Sequence, residues 1–471
     1  MEKSSLRTGY EHHLRKHGHR SLLLYPLHVE DQLVGLMELA SPQPGDLNAF
    51  NARQLLDVVP LFATTLKRNL DELEDRVQSV IKRKYTAIHP AVEWRFREAA
   101  LRYLEQKGRG EANLQLDEIV FHDVYPLYAL VDMRDSSRIR NEAIRADISQ
   151  QLGLALDVIN QAGQMRPLPA LEEVGHLLTR HLDGIASELR SDDGSGVLDL
   201  LRRDVEPLFA ELETYGSEVA ERVAAYRGAL DEDLNIVYRH RKDFEQSVAA
   251  INDSISMTLD EEEKRAQVMF PHFFEKFRTD GVDHSIYVGA ELHEDGLFDE
   301  LYLRNLRIWQ LMTTCRIEWE LARVKAEVSV PLQATHLILV QHQPLSIRFR
   351  VDEKRFDVDG AYDIRYEIVK KRIDKARVRG TREHVTQPGQ LAIVYSTASE
   401  AAEYKRYVDF LQTKGYFDPG MDELELEDLP GISGLKAPRV TIASKSAVDE
   451  PGPPDRPAAR EIEKVLAAGQ T

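Results

Sequence analysis

The residues at positions 132–137 are the ones whose types and spacing best suit chemistry. They follow an apolar stretch, 116–131, that is rich in β-branched and aromatic side chains, and they precede a helical pattern from Arg138 to about Ala162. A carboxylate at a strand end, beside small hydroxyl groups and a helix N-terminus, is suited to hold Mg²⁺ and a phosphate. The predicted ligand-binding residues are Asp132, Arg134, Asp135, Ser136 and Ser137.

The same six positions also allow a purely structural interpretation. Under it, Asp135 or Ser136 caps the following helix by accepting its first free backbone amides, and the arginines of that helix lie on its solvent face. The residue types alone leave both interpretations open.

The Asp132 segment is also similar to the first metal-binding strand of class III nucleotide cyclases, in which an apolar stretch precedes an aspartate and a turn of small residues. That resemblance implies a second aspartate on a Gly-Asp hairpin roughly forty residues further on. Here the corresponding stretch, 168–190, has a helical pattern. A cyclase centre is therefore the least favoured of the three interpretations.

Basic side chains are concentrated between positions 365 and 382, within a pattern that predicts a helix from Asp359 to about Ala376. Such a face is either simply solvated or binds an anionic partner, and the acidic positions 418–428 of the same chain offer one. Nucleic acid is disfavoured because no aromatic side chain is free there for base stacking. The predicted partner-binding residues are Arg365, Lys370, Lys371, Arg372, Lys375, Arg377 and Arg379.

The overall composition restricts the class of protein. The chain of 471 residues has 61 Lys and Arg against 79 Asp and Glu, a formal net charge of −18, which disfavours general binding to nucleic acid or anionic membranes. Its single cysteine, Cys315, excludes an intramolecular disulfide. Together with the missing secretory leader, it predicts a cytoplasmic protein. No apolar stretch approaches the roughly 20 residues of a spanning helix, so membrane insertion is not expected.

The common sequence signatures of catalysis are missing. No P-loop, GxGxxG, HExxH or GxSxG motif occurs. Cys315 lies in a helical pattern among apolar residues, with no base spaced to activate it. We therefore predict no catalytic residue and no metal-ligand set, assign no cofactor, and expect a protein that is not an enzyme.

The N-terminal part predicts a β-hairpin followed by a long helix. Two strand-like stretches, 21–28 and 32–40, flank a polar turn, and Gly35 indicates a bulge or a close backbone approach. From Leu47 to about Leu104 apolar residues recur at steps of three and four, and Pro60 is expected to kink this helix.

This order of elements is similar to the closing part of a bacterial GAF domain. The resemblance rests on Leu33-Val34-Gly35-Leu36-Met37-Glu38-Leu39-Ala40-Ser41 and, after a loop, on Leu47…Phe50…Leu55-Leu56…Phe62-Ala63-Thr64-Thr65-Leu66. It covers about residues 20–75 and implies small-ligand sensing or dimerisation, with a C-terminal signalling helix. The first half of such a domain would lie upstream of Met1 or be absent, and Ala40-Ser41 replaces the Asn-Lys of members that bind cyclic nucleotides.

The expected fold class is a multidomain protein, predominantly α with α+β parts: a partial GAF-like α/β N-terminus, a long helical middle and an α+β C-terminal domain. The expected segments are a partial GAF-like domain at 1–75, a connecting or signalling helix at 76–108, an α/β unit at 109–190, a long helical hairpin or bundle at 191–269, an α+β domain at 270–417 and an acidic, then Pro/Gly-rich disordered tail at 418–471.

Two further expectations concern the middle of the chain. Residues 197–255 are expected to form two long helices that meet near positions 228–233. Residues 270–289, aromatic and rich in turn residues, are expected to be a connector between domains.

These observations favour a non-enzymatic signalling or regulatory protein, in which a GAF-like sensory or dimerisation element is coupled through helices to a C-terminal interaction domain. Protein partners or self-association are expected, with a small-molecule ligand if the GAF-like domain is completed upstream. The first alternative is a Mg²⁺-dependent enzyme, or a nucleotide- or phosphate-binding protein, with its centre at Asp132–Asp147. The second alternative is a helical scaffold that dimerises.

Overall fold

The structure, a computed structural model, describes residues 9–48, 53, 55, 58–85, 88–110, 117–187, 193–296, 298–352, 355–359, 364–430 and 432–444. Two units make up the chain: unit 1 contains residues 1–120 and 348–357, and unit 2 contains residues 121–347 and 358–471. The expected fold class, predominantly α with α+β parts, is confirmed.

Unit 1 begins with a short helix, α1 (Gly9–Lys16), and the predicted β-hairpin, β1 (Ser21–Val29) and β2 (Gln32–Ser41). The two strands pair antiparallel, and Glu30 and Asp31 turn between them with positive φ angles of 50° and 64°, as in a type I′ turn. A β-carbon at Gly35 would lie 2.6 Å from Cδ2 of Leu66, so this position is a close approach between the hairpin and the following helix.

Two helices follow in unit 1, α2 (Val59–Lys84) and α3 (Pro90–Gly108). The prediction of one helix from Leu47 to about Leu104 is wrong, because α2 ends before Tyr85 and a separate helix, α3, begins at Pro90. Pro60 lies in the first turn of α2, where its missing N–H has no helical partner to lose, and it therefore begins the helix rather than kinking it. Residues 49–52, 54, 56 and 57 lie outside the described residues.

Unit 2 contains most of one mixed sheet. Its strands are β3 (Val120–Met133), β4 (Phe273–Thr279), β5 (Gly281–Val288), β6 (Ala334–Leu339), β7 (Leu345–Arg350), β8 (Arg355–Asp359), β9 (Gln390–Val394), β10 (Asp422–Glu425) and β11 (Lys436–Thr441). The strand order is β10-β11-β9-β6-β3-β5-β4, with β7 paired to β3 and β8 to β7. β3 pairs antiparallel with both β5 and β6, whereas β6 and β9 pair in parallel.

The helices of unit 2 are α4 (Ser136–Met165), α5 (Pro169–Ser187), α6 (Asp193–Leu200), α7 (Phe209–Leu212), α8 (Ser217–Gly228), α9 (Arg239–Met269), α10 (Glu300–Val324), α11 (Ile364–Lys370) and α12 (Ala398–Thr413). α9, α10, α11 and α12 pack on the two faces of the sheet, whereas α5 to α8 form a separate cluster with α4. Because side chains alternate along a strand, Ala129 and Val131 of β3 pack toward α9, α10 and α12, and Tyr128 packs toward α11. None of the helices in the described part of the chain is long and apolar enough to cross a membrane.

The prediction of a connector at 270–289 is wrong. This segment is the hairpin β4–β5, and β5 lies beside β3 in the middle of the sheet. Residues 418–471 were expected to be disordered, and that is also wrong where the structure describes them, because β11 pairs with β9 and β10 pairs with β11. Residues 445–471 lie outside the described residues.

Two helix predictions need correction. The first long helix expected in 197–230 is interrupted, because Pro207 lies in a 3₁₀ turn and Gly216 adopts a φ of 150° between α7 and α8. The second, α9, is confirmed as one helix of 31 residues. The helix expected from Asp359 to Ala376 is shorter, because its described part is α11, followed by a 3₁₀ turn at Ile373–Lys375.

Candidate functional site

Asp132 is the second-last residue of β3, with Gly281 of β5 and Thr335 of β6 as its Cα partners across the sheet. Strand alternation places its side chain on the same face as Tyr128, the face that carries α11. The predicted position of this carboxylate, at the end of a buried strand and just before a helix, is therefore confirmed.

Asp280 reaches the same place from the turn of the β4–β5 hairpin. The backbone N–H of Met133 donates a 3.0 Å hydrogen bond to the Asp280 carbonyl oxygen. A β-carbon at Gly281, whose φ is +159°, would lie 2.3 Å from the carbonyl oxygen of Val131, so only glycine lets the hairpin approach β3 this closely. Residues 168–190, where the cyclase resemblance implied a second aspartate, are largely α5, and the second carboxylate near Asp132 is that of Asp280.

Asp374, in the 3₁₀ turn after α11, is the third carboxylate. Its Oδ1 atom is buried and has no hydrogen-bond partner among the described residues. The pKa of Asp132 is raised to about 6, mainly by burial and also by the nearby charges of Asp374 and Asp280. A hydrogen bond from the Met133 backbone N–H and the charge of Arg134 lower it by less. In the described part of the chain, no lysine, arginine or histidine nitrogen lies within 4.0 Å of the Asp132 carboxylate. These carboxylates therefore leave a negative charge that is only partly compensated.

Cationic and hydroxyl groups surround the three carboxylates in an open cavity of about 620 Å³. The Arg134 guanidinium donates to the Thr386 carbonyl oxygen at 3.1 Å, and Arg140 forms a two-pronged ion pair with Asp280 at 2.6 and 2.8 Å. The polar lining consists of Asp132, Arg134, Asp135, Ser136, Ser137, Arg138, Thr279, Asp280, Asp374, Lys375, His384 and Thr386. All five predicted ligand-binding residues are thus brought together.

Asp135 lines the cavity but does not cap α4, and Asp147 lies outside the cavity. Asp135 occupies the N-cap position of α4 with a left-handed φ of 57°, but its side chain makes no capping hydrogen bond and lies 3.5 Å from Arg138. Asp147 is fully buried and accepts hydrogen bonds from the backbone N–H groups of His240 and Arg241 at 2.8 and 3.0 Å. It therefore holds the start of α9 and does not belong to the cavity.

The predicted basic face is not formed as one surface. The Lys370 ammonium donates to Ser285 at 3.0 Å, Lys375 lines the Asp132 cavity, and Arg379 pairs with Asp428 at 2.8 Å. Lys371, Arg372 and Arg377 are exposed, and the side chain of Arg365 lies outside the described residues. The basic segment is therefore divided among three places, one of which is the acidic stretch 418–428.

Five lining residues were missed by the sequence analysis: Thr279, Asp280, Asp374, His384 and Thr386. A signal existed for Asp280, because Thr279-Asp280-Gly281 separates two stretches rich in β-forming residues, as a hairpin turn does. Asp374 carried no signal, since it was counted among the charges of a predicted helix.

The cavity offers carboxylate oxygens suited to a hard divalent cation. Within the described residues, however, no three His, Cys, Asp or Glu side chains already stand close enough together to ligate one ion. Mg²⁺ commonly uses one or two carboxylates and takes its other ligands from water and substrate phosphates. The residues present fit that arrangement, in which one or two of Asp132, Asp280 and Asp374 would supply the protein ligands.

Comparisons with known proteins give little. No family model matches the chain, and no curated protein matches it significantly. Among solved structures, one match is the crystal structure of the guanylyl cyclase Cya2, at 13% sequence identity over 44% of this chain and 84% of that one, with a TM-score of 0.25. A likeness of that size assigns neither a fold nor a function.

Proposed function

We propose that unit 2 binds a phosphorylated small molecule of the nucleotide class, together with a divalent cation, at the Asp132 cavity. The observation that carries this proposal is the unpaired Oδ1 atom of Asp374, buried beside the Asp132 carboxyl whose pKa is about 6. A divalent cation would neutralise both groups, because an uncompensated buried carboxylate is costly to ionise.

The other side of the cavity supports the phosphate. Arg134 and Arg138 line it, and α4, a helix of 30 residues, starts there with Ser136. Guanidinium groups match phosphate oxygens in geometry, and the first backbone amides of a helix attract anions. Arg140 is already paired with Asp280 and is therefore not counted among the phosphate-binding groups.

We assign binding to this cavity, and no reaction. The proposal suits a cytoplasmic regulatory protein, in which occupation of the site by a nucleotide is the signal. It retains the sequence expectation of a regulatory role and keeps the predicted residues around Asp132 as the place where a ligand acts.

Thermal unfolding with ATP, GTP or pyrophosphate, each with and without Mg²⁺, tests the proposal. We expect a rise in Tm of a few degrees that requires Mg²⁺, since ligand at a hundredfold excess over Kd stabilises by about 2.7 kcal/mol. Asp132→Asn and Asp280→Asn should abolish it. Asp123→Asn is the matched control, because Asp123 lies exposed near the other end of β3 with a φ of 52°, which asparagine also tolerates. A shift that survives in Asp132→Asn would contradict the proposal.

A second proposal concerns unit 1, where α2 carries an apolar seam with alternating spacings of four and three residues. Its members are Val59, Ala63, Leu66, Leu70, Leu73, Val77 and Val80. Such spacing is typical of a helix that pairs in a coiled coil. Both ends of the seam are buried, but Leu70 and Leu73 in its middle are 44% and 43% exposed. We therefore propose that the GAF-like hairpin and α2 form a dimerisation element.

Light scattering on the wild type and on the double variant Leu70→Gln/Leu73→Gln tests this second proposal. We expect a wild-type dimer and a monomeric variant, because the substitution removes the apolar middle of the seam. Leu301→Gln, on an exposed leucine of unit 2, is the control and should remain dimeric. A monomeric wild type at high micromolar concentration would exclude the dimerisation element.

A further inference from the structure

A second polar cavity, of about 560 Å³, lies between α10 and α12. It is on the sheet face opposite to Asp132, and it reaches β3 at Tyr125, seven residues before Asp132. Its residues take no part in the site proposed above. Three arginines line it, Arg304 and Arg307 from α10 and Arg406 from α12.

The innermost arginine is fully compensated. Arg307 lies 2.8 and 3.0 Å from the two carboxylate oxygens of Glu403, and their side chains are 9% and 15% exposed. His342 Nε2 lies 2.6 Å from the same carboxylate, and the Tyr407 hydroxyl donates to it. Although burial raises the pKa of Glu403, these donors bring it to about 2. Glu403 is therefore ionised, and Arg307, His342 and Tyr407 lie close to its carboxylate.

The two outer arginines have no such partner. In the part of the chain that the structure describes, no carboxylate lies within 4.0 Å of the guanidinium of Arg304 or Arg406, although Glu300 lines the same cavity. Arg304 lies 5.8 Å from the ring centre of Tyr407, a cation–π contact. In a chain with a net charge of −18, two unpaired arginines on one cavity form a local positive site.

The cavity also has an apolar side. Leu303 and the ring of Tyr407 are buried there, and Tyr125 stacks on Phe298 with ring centres 5.7 Å apart. Small-molecule sites combine such apolar walls with a few convergent polar groups. A ligand that carries both an anionic group and an apolar body would use both parts.

From this geometry we infer a binding site, independent of any metal, for a small organic oxyanion. Arg304 and Arg406 hold its phosphoryl or carboxylate group, because guanidinium groups bind such oxyanions through paired N–H donors. Leu303, Tyr125 and Tyr407 contact its apolar body. The Arg307–Glu403 pair fixes α10 against α12 and so sets the distance between the two outer arginines.

Calorimetric titration in EDTA with phenyl phosphate, benzoate and inorganic phosphate tests the inference. We expect the wild type to bind at least one aromatic probe more tightly than inorganic phosphate, and the tighter of the two aromatic probes identifies the anionic group. Arg304→Gln/Arg406→Gln should weaken that binding at least tenfold. Lys405→Gln, on an exposed lysine of α12 that does not line the cavity, should change it less than twofold.

Two further variants keep the test decisive. Arg304→Lys/Arg406→Lys retains both charges but not the forked donors, and we expect an intermediate loss of affinity. Asp132→Asn should bind the probes like the wild type, which separates this site from the cation-dependent one. The inference is overturned if the wild type binds none of the probes at millimolar concentration, or if the double glutamine variant, folded as judged by its melting curve, binds them equally well.

Discussion

The backbone N–H of Met133 donates a 3.0 Å hydrogen bond to the carbonyl oxygen of Asp280, which joins the end of β3 to the turn of the β4–β5 hairpin. Two residues almost 150 positions apart thereby bring Asp132 and the Asp280 side chain into one cavity. The polar centre of unit 2 is therefore a consequence of strand pairing and not of any local motif.

The raised pKa of Asp132 predicts a pH-dependent gain in stability from Asp132→Asn. The pKa is about 6 in the folded protein and 3.8 by default in the unfolded chain, so ionisation costs stability progressively between about pH 4 and pH 6 and fully above. The variant should therefore have a higher free energy of unfolding at pH 7.5, by roughly 1–3 kcal/mol, and little gain at pH 4. Urea unfolding at both pH values measures this, and an equal effect at both would contradict it.

For Asp147→Ala we expect the opposite effect on stability, a large loss, with no change in ligand binding. Asp147→Ala removes an acceptor of two backbone N–H groups and leaves Arg241, 3.0 Å from that carboxylate through Nε, without its partner. We expect a cost of about 3–5 kcal/mol in urea unfolding. Asp157 lies on the exposed side of α4, the helix that also carries Asp147, and Asp157→Ala should lower the free energy of unfolding by less than about 1 kcal/mol. Nucleotide binding by the folded fraction of Asp147→Ala should be unchanged.

Lys370 predicts a pH-dependent loss of stability. Burial raises the pKa of Glu275 to about 7 and also raises that of Asp283, while the Lys370 ammonium opposes both shifts. Lys370→Met removes that ammonium, so the cost should be largest at pH 8, where both carboxylates are ionised, and smaller at pH 5.5. We expect about 2–4 kcal/mol at pH 8.

The control for Lys370 is its neighbour. The Lys371 side chain is 72% exposed, and Lys371→Met should change stability by less than about 0.5 kcal/mol at either pH. A loss in Lys370→Met that does not change between pH 5.5 and pH 8 would show that the ammonium acts by packing alone.

The position of β11 predicts where the chain can be shortened. A chain that ends at Phe417 loses β10 and β11, including Ala437 and Val440 from the core, and leaves β9 with an open edge. We expect this chain to lose cooperative thermal unfolding of unit 2. A chain that ends at Ser444 keeps every described contact and should melt like the full chain. Equal melting curves for the two truncations would mean that β11 contributes nothing.

Local patterns in the sequence predicted much of the fold correctly. β3, α4 and α10 follow from apolar periodicity within short windows. The hairpin β4–β5 was missed because its sequence is aromatic and rich in turn residues, which is typical of a connector. Its strands nevertheless carry Glu275 and Asp283, whose pKa values are raised by burial and lowered by the Lys370 ammonium.

Only the part of the candidate site that is continuous in sequence could be predicted. Asp132 and its neighbours in sequence were identified from their position between a strand and a helix. Asp280 and Asp374 join them only through β5 and through the turn after α11, and such long-range proximity leaves no periodic signal in the sequence.

The placement of β3 also has a consequence for synthesis on the ribosome. β3 needs β5 and β6 as neighbours, and they follow it by about 150 and 200 residues. At about 5–20 residues per second, a nascent chain waits roughly ten to forty seconds between making this buried strand and making both of its partners. The helices α4 to α8, which bury one another, can fold during that delay. Slower translation should therefore increase chaperone dependence, with β3 as the segment that is left unpaired.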